Sequence, residues 1–139
     1  MKLFLDANIL VSVLNKEYPV FPYSARILSL SKYHHIQLYT TPICLAIAFY
    51  FAEKKHGRSK AKQKIDLIHQ NIKIAEVGEF TVQHALQHKA IEDLEDGLEY
   101  YAAREADCEY IITENPEDFY FSEIPVYRSQ EFLIYHVSI

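Results

Sequence analysis

Between Leu94 and Phe119 the chain reads LEDGLEYYAAREADCEYIITENPEDF, a helical stretch running into an apolar one. Residues 95–106 carry apolar positions at helical spacing, and CEYIIT (108–113) is a short apolar run of the kind a sheet buries. A helix that delivers the chain into a buried strand is one half of a β-α-β unit, which predicts a parallel sheet covered on both faces. The charge here is lopsided. From Glu92 to Glu123 stand twelve of the chain's nineteen acidic residues against one basic residue, Arg104. Such a concentration is either a solvated acidic face or a set of carboxylates that converge to hold a cation.

Outward from this stretch the alternation of strand and helix continues. KLFL (2–5) predicts a first buried strand, and NILVSVLN a helix that begins at once behind a cap in Asp6–Asn8. A loop around Pro19 and Pro22 leads to a helix over 24–32. IQLYT (36–40) reads as the second strand, and Thr41-Pro42 opens a long apolar helix to Gly57, with Thr41 as its cap. A further helix from Ser59 to about Gln70 carries Ile65, Leu67 and Ile68 inward, and IKIAEV (72–77) alternates as a third strand. Residues 79–90 form a helix ahead of the acidic one. IPVYR is a short fifth strand, and SQEFLIY a terminal helix. The expectation is one domain over 1–139, a three-layer α/β/α sandwich around a parallel sheet of about five strands.

Composition agrees with a packed domain. Half of the 139 residues are hydrophobic, with only three glycines and five prolines, which argues against disorder. No segment has the eighteen or more uncharged apolar residues of a membrane span. MKLFLDANIL places an aspartate inside its apolar run, which is wrong for a signal peptide, so the expected compartment is the cytoplasm. Cys44 and Cys108 then read as reduced, buried thiols. The net charge of −5 argues against general coating of nucleic acid. Yet KKHGRSKAKQK (54–64) gathers six of the fourteen basic residues: the solvated end of one helix and start of the next, or a phosphate-contacting patch.

In open α/β sheets ligands bind at the carboxyl ends of strands. Asp6 directly ends the first strand, and Asn115 and Asp118 follow the fourth. The third acidic element is the helix start at 92–99. There Asp96 lies three residues from Asp93 and from Glu99 and four from Glu92, so these can share one helical face. Crowded like charges repel, and a divalent cation resolves the conflict, since magnesium and manganese take oxygen ligands from a few carboxylates. Taken singly, each residue has a plainer role: Asp6 as a helix cap, the 92–96 acids as partners of a helix dipole. His84 and His88 have the i, i+4 spacing of a zinc pair but no evident third ligand. Asn8 stands where a phosphatase of the DxD type would need its second aspartate.

LDANIL, the 94–119 stretch and IPVYRSQEFL, taken together, resemble the PIN domain family, and within it the bacterial toxins of the VapC type. Four motifs in register, LDANIL, EDGL (95–98), TENPEDF (113–119) and IPVYRSQEFL, cover essentially the whole chain. The resemblance implies an α/β/α sandwich and a magnesium- or manganese-dependent ribonuclease. By position it makes Asp6 and Asp96 metal ligands and sets Asn115 and Asp118 beside them in the catalytic group, with Asn8, Asp93 and Thr113 in support. It also implies an RNA substrate, a cognate antitoxin, a homodimer, and phosphate contacts from Lys54, Lys55, Arg58 and Lys60. Two departures stand out. Many relatives carry a glutamate on the helix after the second strand, where Ala46–Ala48 is apolar here, and Glu53 lies too far along to replace it. Ser12 and Asn115 occupy places where relatives carry aspartates. A rival reading follows from these gaps, a degenerate PIN domain that binds RNA or protein without cutting.

Overall fold

A computed structural model describes residues 1–137. The five strands are β1 (Lys2–Leu5), β2 (Gln37–Thr40), β3 (Lys73–Ile74), β4 (Tyr110–Ile112) and β5 (Val126–Tyr127). All pairings are parallel, in the order β3-β2-β1-β4-β5. The central strand is β1. Its Leu3, Phe4 and Leu5 are fully buried on both faces, which is why the run is continuously apolar rather than alternating. Leu5 stands opposite Ile112 in β4, and the Asp6 amide donates to the Ile112 carbonyl, extending the ladder by one step.

The helices are α1 (Ala7–Leu14), α2 (Phe21–Ser29), α3 (Pro42–His56), α4 (Arg58–His69), α5 (Glu79–Gln87), α6 (Leu94–Glu105) and α7 (Ser129–His136). From β1 through β2 to β3 the chain moves outward in one direction, and from β3 to β4 it returns across the sheet. Right-handed crossovers therefore set α1–α4 on one face and α5 and α6 on the other. The packing follows: α1 lies against α2 and α3, α3 against α4, α2 against α7, and α5 against α6. This is the expected three-layer sandwich. The reversal of direction between β2 and β4, on either side of β1, is a topological switch point.

Local chemistry sets the element ends. Asp6 caps α1 by accepting from the Ala7 amide, Thr41 caps α3 by accepting from the Cys44 amide, and Asp93 caps α6 by accepting from the Asp96 amide. At the end of α3, Gly57 adopts φ 85°, a left-handed turn that a side chain would strain, and α4 starts at once. Three sequence expectations shift. The second helix starts at Phe21, not Ser24, because Pro22 sits in its first turn, where a missing N–H costs nothing. Leu67 faces outward, 60% exposed, while Ile68 takes the inward position. β3 contracts from six residues to two, since the edge of the sheet pairs it on one side only.

α6 packs closely on α5 and the segment after it at Gly97. A Cβ on Gly97 would meet Ile91 Cγ2 at 2.8 Å and the Cβ of Ala85, in α5, at 3.1 Å. Gly97→Ala gains about 1 kcal/mol of helix propensity but overpacks this contact at a cost of about 1–3 kcal/mol. The expected outcome is a net loss, a Tm lower by roughly 3 °C in a thermal melt. A variant as stable as the wild type would show that the helices separate freely.

Candidate active site

The carboxyl ends of β1 and β4 meet at the switch point, and the first polar residue after each strand forms the floor of the site. The Asp6 carboxylate, 8% exposed, accepts from the Ala7 amide at 2.6 Å on Oδ1. Its Oδ2 accepts from Thr113 Oγ1 at 2.7 Å and from Asn8 Nδ2 at 3.3 Å. The fully buried Thr113 hydroxyl in turn accepts from Asn8 Nδ2 and from the Asn115 amide, each at 3.1 Å. With one donor and two acceptor positions used, that hydroxyl is satisfied. Asn8 closes the network through Oδ1, which accepts from the Glu114 amide at 3.1 Å. Asn8 and Thr113 thus tie β1 and β4 together and orient Asp6.

Above this floor opens a cleft of about 340 Å³. Asp6, Glu95, Asp96, Asn115 and Asp118 form one wall, and Val11, Ile47 and Phe51 the other. Asp6, Asp96, Asn115 and Asp118 therefore converge on one space although 112 positions separate the first from the last. Asn8 lines the same cleft, whereas Asp93 lies just outside it as the α6 cap and lines a neighbouring hollow with Asp96 and Asp118. No other crowding of carboxylates of this kind occurs among the described residues.

The basic segment sits past the far end of the apolar wall. Lys54 and Lys55 follow Phe51 by three and four residues, one turn along α3. Lys55 Nζ donates to the Asn15 carbonyl, Lys54 lies over the Tyr50 ring at 4.5 Å, and Arg58 pairs with Glu53 at 3.1 Å. Lys60 is exposed on α4. His84 faces Glu105 at 3.7 Å and packs on Tyr101, so the histidine pair finds a structural setting. Cys44 and Cys108 are buried free thiols.

One residue that sequence reading placed only on a shared helical face with Asp96 lies buried beside the cleft residues Asp6, Glu95 and Asp96. Glu99, one turn beyond Asp96 on α6, is fully buried. Its Oε1 accepts from the Cys44 thiol at 3.2 Å, and its Oε2 has no hydrogen-bond partner among the described residues. Carboxyl oxygens of Asp6 and Glu99 and the sulfur of Cys44 lie within 4.8 Å of one another, as do ligand atoms of Glu95, Asp96 and Glu99. The only hint in the sequence was the spacing of Asp96 and Glu99; which way α6 turns that face depends on its packing against α5.

Electrostatics bear out the crowding. Burial, then the charges of Asp93 and Asp118, push the Asp96 carboxyl up to about 7. Burial, then Glu117 and Asp6, raise Asp118, and burial holds Glu99 well above the ordinary carboxylate range, with Cys44 and Asp6 adding to it. Folding thus favours the protonated form of Asp96: its contribution is harmless in acid and becomes a loss of stability as pH rises from about 4, the unfolded value, through about 7. In chelator, Asp96→Asn removes that loss. At this half-exposed position screening leaves about 1 kcal/mol, so the variant should melt roughly 3 °C above wild type at pH 8. The gap should close near pH 4, and a gap independent of pH would refute the assignment.

The chain and its fold are similar to those of known proteins. Ribonuclease VapC1 of Aquifex aeolicus (strain VF5) is 26% identical over 138 residues, covering 94% of this chain and 92% of its own length. The fold is similar to that in the crystal structure of VapBC2 from Rickettsia felis bound to a DNA fragment from their promoter, with a TM-score of 0.69 at 18% identity, covering 92% of this chain and 98% of that one. It is also similar to Mycobacterium tuberculosis VapC20, a Sarcin-Ricin loop cleaving toxin, with a TM-score of 0.62 at 14% identity, covering 78% and 86%. The model of the PIN domain matches residues 2–117, a span that takes in Asp6, Asp96 and Asn115 as well as four of the five strands, and on that match the chain belongs to the PIN domain family.

Proposed function

We propose that this protein is a metal-dependent endoribonuclease acting as the toxin of a type II toxin–antitoxin pair. The observation that carries this is the convergence of Asp6, Asp96, Asn115 and Asp118 on one cleft of a PIN domain. The naming of the relatives as a ribonuclease and as VapBC and VapC toxins supports the same reading, and with it an antitoxin partner. A homodimer and a cytoplasmic site of action belong to this proposal. Among the described residues no helix is long and apolar enough to cross a membrane.

The residues fit a divalent cation: oxygen ligands, like charges held close, and a buried carboxyl oxygen without a partner. Asp6 and Asp96 would hold magnesium or manganese, which when bound supplies charge to the reacting phosphate and acidifies a water. Asp6 is held for that work by the Ala7 amide, Asn8 and Thr113, so its carboxylate needs no reorganisation. Asp118, exposed on the rim, accepts the proton of the attacking water, and the Asn115 amide donates to a phosphate oxygen. Attack of that water on phosphorus breaks the P–O bond of the scissile diester. Phe51, 43% exposed on the apolar wall, offers a ring on which a base can stack. Beyond it Lys54, Lys55, Arg58 and Lys60 extend the cleft as phosphate contacts.

A second reading has its own observation. Ile47 faces the cleft from α3, where many relatives present a glutamate, and an acidic set so depleted suits a domain that binds RNA or a protein without cutting it. Incubating a mixed RNA panel with the purified protein in magnesium, in manganese and in EDTA separates the two. Cleavage is expected in both metals and none in EDTA. Asp6→Asn and Asp96→Asn should each lower the rate at least about a hundredfold while leaving the far-UV spectrum unchanged. Folded, inhibitor-free protein that cuts nothing in either metal would establish the binding module instead.

A further inference from the structure

Glu99 is an anomaly on structural grounds alone. A carboxyl group removed from water, with one oxygen left without a donor, costs on the order of 1–3 kcal/mol, and glutamine or leucine would fill the same volume without that cost. Among the described residues Glu99 forms no salt bridge, and the potential ligand groups beside it, those of Asp6, Cys44, Glu95 and Asp96, are acidic or neutral. Cys44 Sγ donates to Oε1, which fixes the carboxyl plane. The bare Oε2 belongs to the one residue common to both groups of closely spaced ligand atoms, Asp6–Cys44–Glu99 and Glu95–Asp96–Glu99. Glu99 is thus the bridge between Asp6, at the end of β1, and Asp96 on α6.

The spacing suits an octahedral ion. Magnesium–oxygen bonds of about 2.1 Å set oxygens across the ion about 4.2 Å apart and adjacent ones about 3 Å apart. Within each of the two groups the ligand atoms lie within 4.8 Å of one another, close to the span across such an ion, and Glu99 belongs to both. On the opposite wall α3 offers no carboxylate, because Ile47 faces the cleft and Ala48 is buried in the core.

Resting on the divalent-cation reading above, we infer that Glu99 is the third carboxylate ligand of the cation, supplied from α6 in place of a residue on α3, with the Cys44 thiol as the group that positions it.

The test is manganese binding, which needs neither substrate nor turnover. Binding isotherms, followed by the loss of the free-ion paramagnetic resonance signal, would compare wild type with Glu99→Gln, Asp6→Asn and, as a control for the general acidic field, Glu92→Gln. A Kd at least tenfold weaker in Glu99→Gln, with Glu92→Gln within twofold of wild type, is the expected result. Adding Ile47→Glu to Glu99→Gln returns a carboxylate from α3 and should recover most of that loss, which a merely structural role for Glu99 would not allow. If Glu99→Gln binds within twofold of wild type while Asp6→Asn has lost the ion, Glu99 is no ligand and the site rests on Asp6 and Asp96. If Asp6→Asn also binds as wild type does, the cation reading itself falls. Should Glu99→Gln not fold, Glu99→Asp, which withdraws the carboxylate by one methylene, is measured against the same thresholds.

Discussion

The fold depends on how β1 and β4 end beside each other. Both strands are apolar through Leu5 and Ile112, and the next residues, Asp6 and Thr113, must bury polar atoms at the seam of a sheet. They do so by bonding to each other at 2.7 Å, with Asn8 donating to both. In the low dielectric of the seam each of these bonds holds more strongly than in water, and an unmatched member would be costly. The same network that completes the sheet therefore fixes a carboxylate at the mouth of a cleft. Stability of the junction and orientation of the site are one feature seen from two sides.

Around that junction the two helical layers contribute unlike walls. α1 and α3 bring Val11, Ile47 and Phe51, and α6 brings Glu95 and Asp96, with Glu99 buried beside them. The helix dipole favours Glu95 and Asp96 in the first turn of α6, but nothing local favours burying Glu99. Burial and mutual repulsion raise Asp96 and Glu99 alike, so α6 carries a load that its own capping by Asp93 only partly offsets. A helix placed this way is anchored elsewhere, through the close approach of Gly97 to Ile91 and Ala85 and through Tyr100, whose buried hydroxyl accepts from Arg104 and from the Glu123 amide. Concentrated negative charge held in place by distant packing is the pattern of a site that trades stability for function.

Much of this was legible in the chain. Continuous apolar runs at 2–5 and 109–113, helices between them, and the Thr41-Pro42 start are local signals, and they were enough for a parallel three-layer sandwich. The general rule that ligands sit at strand ends, applied to Asp6, Asn115 and Asp118, brought three residues of the site together before any coordinates. The crowding of carboxylates at 92–99 brought in Asp96, and the resemblance singled it out as a ligand and supplied the family. Boundaries were softer, as at Phe21 and along β3, because one-sided pairing at a sheet edge and a proline's place in a first turn depend on neighbours outside the local window.

By itself the sequence determined the order of elements, the caps at Asp6 and Thr41, and the acidic bias of one face. These follow from propensity, periodicity and hydrogen-bonding chemistry within a few residues. What only the tertiary structure decided is which of the five acidic residues from Glu92 to Glu99 turn inward. Glu95 and Glu99 both lie within one turn of Asp96 on α6, and no local rule distinguishes them. The docking of α6 on α5 and over β2 buries Glu99 beside Cys44 and Asp6 and leaves Glu95 exposed, because helix rotation is set by packing against other elements and not by the helix's own residues.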